Sequence, residues 1–326
     1  MISGNQKTFA WLFLAAPAAI AISLFFGSSG IGIPDLSDPL GRSILELRFN
    51  RVIQGFFVGA ALSCAGVIFQ AILRNPLAEP YILGVSSGAG LGAAFCILSG
   101  VAAISTFAIP VSSFFAAAAT LLLVFMISRR GGAAPSIYSL ILSGVIISAI
   151  CSSILMFLVS TASSDGLHTV VWWMLGNLQP SSGSMLILTS LLITAGCAAA
   201  CYMARDLNAI TLGSETAYNV GVKPKKIIIS ALAVATMITA SAVSISGLIG
   251  FVGLIVPHVV RSLVGTDHKR LVPAAAVAGG AFLSICDAVA RSVMAYEIPV
   301  GVITAVFGGP FFLAILMRRR RKGWIE

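Results

Sequence analysis

One short motif in this sequence has the residue types and spacing of a covalent catalyst. Gly84-Val85-Ser86-Ser87-Gly88 fits Gly-x-Ser-x-Gly, which in hydrolases holds a nucleophilic serine on a turn between a strand and a helix. The flanking residues predict no strand, and no acid and histidine follow in the order of a triad. Because Gly84, Gly88 and Gly92 recur every four residues, we interpret the stretch as a helix face that packs closely against another helix.

The histidines and cysteines do not predict a metal or disulfide site. His168, His258 and His268 are far apart in the sequence and lack cysteine or carboxylate companions at ligand spacing. All six cysteines lie within apolar runs, and none forms a Cys-x-x-Cys pair. We therefore expect no bound metal and no cofactor.

Four charged residues stand in or beside long apolar runs, where a charge needs a partner. Arg48 and Arg51 are three residues apart and would share one face of a helix. Asp287 precedes Arg291 by four residues, so these two side chains can neutralise one another within a membrane span. Contact with the phosphates of lipid headgroups is an alternative for Arg48 and Arg51.

The composition places these residues in a membrane protein. Hydrophobic residues make up 58% and charged residues 10%, whereas about a quarter of the residues of a soluble protein are charged. The net charge of +9 comes from basic residues at the ends of apolar runs, not from the clustered basic face that a nucleic-acid binder requires. The sequence thus predicts contact with membrane lipid and no nucleic-acid partner.

Long apolar runs predict an all-α polytopic fold, because a helix needs about 20 apolar residues to cross the hydrocarbon. The sequence predicts about ten transmembrane helices within a single domain over residues 1–326. The predicted spans are 9–26, 52–73, 81–100, 104–127, 137–159, 184–204, 227–246, 251–264, 271–290 and 299–317. The eighth is short and contains Pro257, which predicts a broken or partly re-entrant helix.

The distribution of lysine and arginine predicts the orientation of the chain. A cytoplasmic N-terminus places 16 of the 20 basic residues on the cytoplasmic side, including Arg74, Arg130 and the run from Arg318 to Lys322. We therefore expect both termini in the cytoplasm. Arg48, Arg51 and Arg291 then lie near the outer ends of spans, against this bias.

Two connecting segments are long enough to form helices outside the spans. Residues 167–175 include Trp172 and Trp173, which favour the headgroup layer, and predict an interfacial helix. The inner segment 205–226 is too polar to enter lipid. Within it Ser214 is a candidate N-cap for a short helix over 215–220, which Gly221 and the following proline would end. Composition leaves open whether this helix is a solvated connector or a docking surface.

Several separated motifs resemble the FecCD-type permeases, the membrane subunits of ABC importers for iron–siderophore complexes, haem and cobalamin. The matching stretches are 75–92, 247–261 (Gly-Leu-Ile-Gly-Phe-Val-Gly-Leu-Ile-Val-Pro-His-Val-Val-Arg), Asp267-His268 and 297–301, in the same order as in the family. The similarity extends over residues 45–316. It identifies the family and leaves the transported chelate open.

The resemblance implies a homodimer of ten-helix subunits in a prokaryotic plasma (inner) membrane, with a translocation path between the two copies. Two cytoplasmic ABC ATPase subunits would drive alternating access, and a periplasmic or lipid-anchored binding protein would deliver the substrate. The sequence has no Gly-x-x-x-x-Gly-Lys-[Ser/Thr] phosphate loop, so ATP hydrolysis is expected on another chain and this chain is not expected to be an enzyme. The alternative is a secondary transporter driven by protons or sodium, which would use Asp287 and the eighth span.

The resemblance also implies roles for particular residues. The residues expected to couple to the ATPase are Ser214, Glu215, Thr216, Ala217, Asn219 and Gly221. The expected docking residues for the binding protein are Arg48, Arg51 and Arg291, and those of the cytoplasmic gate are Asn75, Leu77, Ile137 and Tyr138, with the gate loop beginning at Pro135. The expected path residues are Ser139, Ser143, Gly144, Ser148 and Ser152. Small side chains also favour ordinary helix packing, which remains the alternative for this last group.

Overall fold

The computed structural model describes residues 4–27, 30, 32–129, 136–294 and 296–320, and these form helices joined by short connections. The helices are α1 (Gly4–Phe25), α2 (Pro39–Ile72), α3 (Val85–Leu98), α4 (Ala108–Ser128), α5 (Ile137–Ser160), α6 (Ser164–Met174), α7 (Gly183–Tyr202), α8 (Ala204–Thr211), α9 (Ser214–Asn219), α10 (Pro224–Ser246), α11 (Val252–Val264), α12 (His268–Ser292) and α13 (Val300–Arg320). Two short 3-10 helices span Pro80–Leu83 and Val101–Ala103. Arg130, Pro135, Arg321 and Lys322 lie outside the described residues.

Each of the ten predicted spans coincides with a helix, which confirms the all-helical class for the described part of the chain. Among the described residues, six helices are long and apolar enough to cross a membrane, namely α2, α4, α5, α7, α10 and α12. Four shorter apolar helices cover Leu12–Phe25, Val85–Leu98, Val252–Val264 and Val300–Ile315. The number of crossings and the side of the termini remain predictions.

The central helix is α2, which packs against α12, α10, α11 and α7. It begins 13 residues before the predicted span, because Asp38 accepts a hydrogen bond from the Leu40 backbone at 3.3 Å and Pro39 occupies the first helical turn. The sequence analysis places residues 27–51 between the first two predicted spans, and the structure corrects this from Pro39 onward, where they belong to α2. As a result, Arg48 and Arg51 lie within α2.

The break predicted at Pro257 is wrong, because α11 is continuous from Val252 to Val264. The irregular backbone lies just before it, where Gly247 and Phe251 have φ values of 65° and 68°. Tyr81 supplies hydrogen bonds to the backbone of this segment. Its hydroxyl donates to the Ile249 carbonyl at 3.0 Å and accepts from the Ile249 amide at 3.1 Å. Irregular backbone is tolerated at membrane depth only when protein groups satisfy it in this way.

Of the three glycines that recur every four residues, Gly88 and Gly92 pack α3 closely against α4, as the sequence predicts. A Cβ at Gly88 would collide with Thr120, and a Cβ at Gly92 would collide with Ala116. Gly84 differs, because it precedes α3 and takes the left-handed conformation, with φ 82°, at the end of a 3-10 helix. The strand of a hydrolase elbow is therefore not present before Ser86.

The segment between α7 and α10 contains two helices where the sequence predicts one. The additional helix is α8, which buries Ala204, Leu207 and Ile210 on one face. The predicted helix is present as α9, but its N-cap position is Gly213, with φ 116°, and Ser214 is the first helical residue. The assignment of Ser214 as N-cap is therefore wrong by one residue. Outside this segment, α6 confirms the helix predicted at 167–175.

Candidate functional site

A buried charge cluster joins α2 to α12. Arg51 Nη2 lies 3.0 Å from Asp287 Oδ1, and Arg291 Nε lies 2.9 Å from Asp287 Oδ2. The second carboxylate is Glu297, whose Oε2 is 2.8 Å from Arg51 Nη1. The side chains of Arg51, Asp287 and Arg291 are 8%, 1% and 3% exposed, whereas that of Glu297 is 32% exposed. The Asp287–Arg291 pair expected from the sequence is therefore confirmed, and Arg51 shares its carboxylate.

Two of the arginines also bind the C-terminal end of α1. Arg291 donates from Nη1 to the Phe26 carbonyl at 2.9 Å and from Nη2 to the Ser23 carbonyl at 3.2 Å. Arg48 donates from Nη1 to the Leu24 carbonyl of α1 at 3.3 Å. It also binds the loop after α1, donating from Nη1 to the Gly32 carbonyl at 2.7 Å and from Nη2 to the Gly30 carbonyl at 3.0 Å. The last carbonyls of a helix lack partners within the helix and carry partial negative charge. These contacts account structurally for arginines at this position.

The three arginines expected to dock a binding protein are thus neighbours in space. Arg48, Arg51 and Arg291 line a cavity of about 250 Å³ together with Glu297 and Pro180. Three guanidinium groups face two carboxylates, Asp287 and Glu297, which leaves one net positive charge. Glu297 is the more exposed acid, so the cluster meets solvent on its side.

The expected coupling residues lie mainly on the surface. Ser214, Glu215, Thr216, Asn219 and Gly221 are exposed, whereas Ala217 is buried. The same segment also exposes Leu212, Tyr218 and Val220, at 72%, 71% and 66%. Clustered exposed apolar side chains in an otherwise polar connector are typical of a protein interface. These three residues are not among the coupling residues predicted from the sequence, although apolar residues within a polar segment were a visible signal.

The expected gate residues lie on two separate segments. Asn75 follows α2, and its Oδ1 accepts a hydrogen bond from the Leu77 amide at 3.0 Å. On the other segment, Tyr138 is 78% exposed in the first turn of α5, and Ile137 packs against the core. The gate remains a prediction.

The small-residue stripe of α5 divides between two environments. Ser139 Oγ donates to the Ser128 carbonyl of α4 at 3.1 Å, Ser143 is buried, and Gly144 lies against the backbone of Leu83. These contacts support helix packing for the first three positions. Further along α5, Ser148 is half-buried and Ser152 is exposed. A path along the whole stripe remains a prediction.

The order of these features along the chain agrees with one family of transport proteins. Residues 14–318 match the FecCD transport family. The chain belongs to this family. As a FecCD member it is a permease and a transport subunit, not an enzyme.

The similarity of this FecCD chain to individual relatives extends over most of its length. It is 38% identical to the cobalamin import system permease protein of Halobacterium salinarum, over 88% of this chain and 76% of the relative. It is 33% identical to the hemin transport system permease protein of Yersinia pestis, over 93% and 94%. A solved structure of a metal-chelate type ABC transporter in an inward-facing conformation superimposes with a TM-score of 0.87 at 30% identity, over 96% and 99% of the two chains.

Two buried glutamines of this FecCD subunit were also missed by the sequence analysis. Gln54 Nε2 donates to the Ile245 carbonyl at 2.8 Å, and its Oε1 accepts from the Ser181 amide at 3.2 Å. Gln70 Oε1 accepts from Arg261 Nη2 at 2.7 Å. A single amide within an apolar run was the available signal, since such a group requires partners inside the protein.

Proposed function

We propose that this chain is the membrane-spanning permease subunit of a binding-protein-dependent ABC importer for a bulky metal chelate. The observation that carries the proposal is the match to the FecCD family over residues 14–318, together with high structural similarity to a metal-chelate type transporter. Relatives named for cobalamin and hemin support the same substrate class. The candidate substrates are cobalamin, haem and ferric siderophores.

The proposed transporter contains two copies of this chain and two ATPase subunits in a prokaryotic plasma (inner) membrane. Each copy has ten crossings and cytoplasmic termini, so α8 and α9 face the ATPases. The exposed side chains of Leu212, Tyr218 and Val220 support this assignment, because they supply an apolar contact surface outside the spans. Glu215 and its exposed neighbours would form the polar rim of that contact.

A binding protein would dock at the opposite face, on the cluster of Arg48, Arg51 and Arg291. The net positive charge of this cluster suits a partner that presents carboxylates, and arginine can bind a carboxylate with two parallel hydrogen bonds. Glu297 is the most exposed group of the cluster. An incoming carboxylate would therefore approach Arg51 on the side that Glu297 now occupies.

The substrate would pass between the two copies along α5, with the exposed Ser152 nearer the outer end and Tyr138 at the inner gate. ATP binding and hydrolysis on the partner subunits would open this path first to one side and then to the other. A ligand shifts such an equilibrium only through different affinities for the two states. Docking surfaces at both ends of the subunit are consistent with that requirement.

Transport driven by an ion gradient has less support from the structure. The intramembrane acid available for such a mechanism is Asp287, and it lies between Arg51 and Arg291 at 3.0 and 2.9 Å. A carboxylate held by two guanidinium groups is a poor site for exchanging a proton or a sodium ion. The proposed role of Asp287 is therefore structural.

Reconstituted transport tests the proposal. The permease would be placed in lipid vesicles with its genomic neighbour ATPase and binding protein, and uptake of cobalamin, haem and a ferric siderophore would be measured. We expect uptake of one chelate class that requires ATP inside and binding protein outside. Uptake driven by a proton or sodium gradient without the ATPase would overturn the proposal.

A further inference from the structure

A cavity of about 540 Å³ lies at the end of the bundle that carries α8 and α9, and of the residues that line it only Leu212 has a role proposed above. Its walls come from the end of α2 and the following turn, from α8, from the end of α11 and from the start of α12. The polar side chains that line it include Gln70, Arg74, Asn208, Arg261, Asp267 and His268. Basic pockets between transmembrane helices are known sites for anionic headgroups.

His268 is fixed in one orientation by Asn208. Asn208 Nδ2 donates to Asp267 Oδ1 at 2.7 Å, which directs the amide oxygen of Asn208 toward His268. That oxygen accepts from the His268 backbone amide at 3.0 Å and lies 2.6 Å from His268 Nδ1. Because an amide oxygen can only accept, the hydrogen of the neutral imidazole resides on Nδ1. His268 Nε2 is therefore a hydrogen-bond acceptor.

This Nε2 atom lacks a partner among the described residues. His268 is 4% exposed and lines the cavity, and its Nε2 is buried without a hydrogen bond. Leaving a buried polar group without a hydrogen bond is unfavourable, because the group has lost its contact with water. A ligand in the cavity that offers a hydroxyl hydrogen would satisfy it.

Two arginines line the cavity, and a hydrogen bond positions the side chain of Arg261. Arg261 Nη2 donates to the buried Gln70, whose Nε2 in turn lies 3.4 Å from the Gly253 carbonyl. Arg74 lines the cavity from the turn after α2, where its φ of 47° is unusual for a residue with a side chain. The cavity thus has two guanidinium groups on its walls.

Among the described residues, Asp267 is the one acid on the cavity wall, and it is already engaged. Asp267 Oδ1 accepts from Asn208 Nδ2 and from the Lys269 amide, which it caps at 3.1 Å. These hydrogen bonds, with that of the Asn208 side chain the larger cause, hold the pKa of Asp267 below its ordinary value. The carboxylate therefore serves Asn208 and the helix start, and the guanidinium groups keep the cavity attractive to anions.

We propose that this cavity binds a phosphate group that also carries a hydroxyl hydrogen. The guanidinium groups of Arg74 and Arg261 would bind the phosphate oxygens, and His268 Nε2 would accept the hydroxyl hydrogen. Two sources have this chemistry. One is the glycerol phosphate headgroup of an anionic phospholipid, and the other is free monohydrogen phosphate.

The test uses the full-length chain purified in a neutral detergent. Native mass spectrometry would measure binding of phosphatidylglycerol and phosphatidylcholine, and calorimetric titration would measure binding of inorganic phosphate. Arg74→Gln removes one charge at an exposed position, and His268→Asn keeps a donor to Asn208 while removing the Nε2 position. Arg205→Gln is the matched control, because Arg205 is exposed on α8 and does not line the cavity.

We expect Arg74→Gln and His268→Asn each to weaken binding roughly tenfold, and Arg205→Gln to leave it unchanged. Preference for phosphatidylglycerol over phosphatidylcholine would identify the lipid source, and saturable binding of phosphate alone would identify the free anion. Equal binding by the native chain and the Arg74→Gln variant would overturn the proposal. So would an absence of saturable binding to both phosphatidylglycerol and phosphate. If His268→Asn does not fold, the exposed Arg74 position decides the outcome.

Discussion

Arg51 and Asp287 form a buried ion pair at 3.0 Å although 236 residues separate them in the chain. Asp287 also neutralises Arg291, so one carboxylate lies between two guanidinium groups from two helices. Removing one member of a buried ion pair leaves an uncompensated charge, which is more costly than losing an exposed pair. The buried Arg51–Asp287 pair, which joins α2 to α12, is therefore expected to contribute more to stability than the partly exposed Arg51–Glu297 pair.

Substituting Asp287 should destabilise the protein strongly. In Asp287→Asn, Arg51 loses its buried carboxylate and Arg291 loses its ion-pair partner, which we expect to cost about 3–5 kcal/mol. The measurement is the thermal unfolding of the detergent-purified chain. Glu297→Gln is the control, because that acid is partly exposed and should cost about 1 kcal/mol or less. Equal melting temperatures for the two variants would contradict a structural role for Asp287.

Removing the charge of Glu297 should strengthen docking of the binding protein, if Arg51 receives a carboxylate from that partner. The internal pair competes for Arg51 Nη1 at 2.8 Å, and releasing it is worth at most about 1 kcal/mol, or roughly fivefold in affinity. Surface plasmon resonance at low and high salt would measure the change. Glu46→Gln is a control on an exposed acid of α2 that does not contact Arg51. Unchanged affinity for Glu297→Gln would count against this docking geometry.

The glycines of α3 should differ in their tolerance of alanine. Gly88→Ala places a methyl group against Thr120 of α4, and overpacking of this kind typically costs about 1–3 kcal/mol. Gly90→Ala on the same helix has room, since the nearest atom to its Cβ is a Leu155 methyl group at 3.8 Å. We expect Gly90→Ala to be neutral or to stabilise the helix by up to about 1 kcal/mol. Thermal unfolding checks the pair, and a Gly88→Ala variant as stable as the native chain would refute close packing at this position.

The exposed apolar side chains near α9 should be required for binding the ATPase and not for folding. The double variant Tyr218→Ser and Val220→Ser removes much of this surface, and we expect the ATPase to be lost on co-purification while the melting temperature stays within about 1 °C of native. Tyr202→Ser is the matched control, because Tyr202 is 89% exposed at the end of α7. Retention of the ATPase by the double variant would exclude this surface as the contact.

The sequence predicts most of the helices because a membrane span is a long local signal. It misses the start of α2, since residues 39–51 are amphipathic and carry charges that interrupt an apolar run. It misses α8 for the same reason, because a single buried stripe of Ala204, Leu207 and Ile210 does not raise hydropathy. Patterns that serve tertiary packing are weaker than those that serve insertion into lipid.

The candidate site shows a similar division between local and distant contacts. The Asp287–Arg291 pair follows from a spacing of four on one helix, whereas the contact of Arg51 with Asp287 depends on how α2 and α12 pack. The burial of Gly144 against Leu83 also depends on tertiary packing, and spacing along α5 does not reveal it. Propensity and periodicity describe one helix at a time.

The separation of Arg51 from Asp287 has a consequence for synthesis of the chain. At about 5–20 residues per second, the ribosome adds Asp287 roughly 10–50 s after Arg51. During that interval the guanidinium lacks both of its acidic partners, Asp287 and Glu297, and we expect it to stay near the headgroup layer at the end of its flexible side chain. We therefore expect α2 to reach its final depth only after α12 has entered the membrane. We expect a chain that terminates before residue 287 to leave α2 short of its final depth in the membrane.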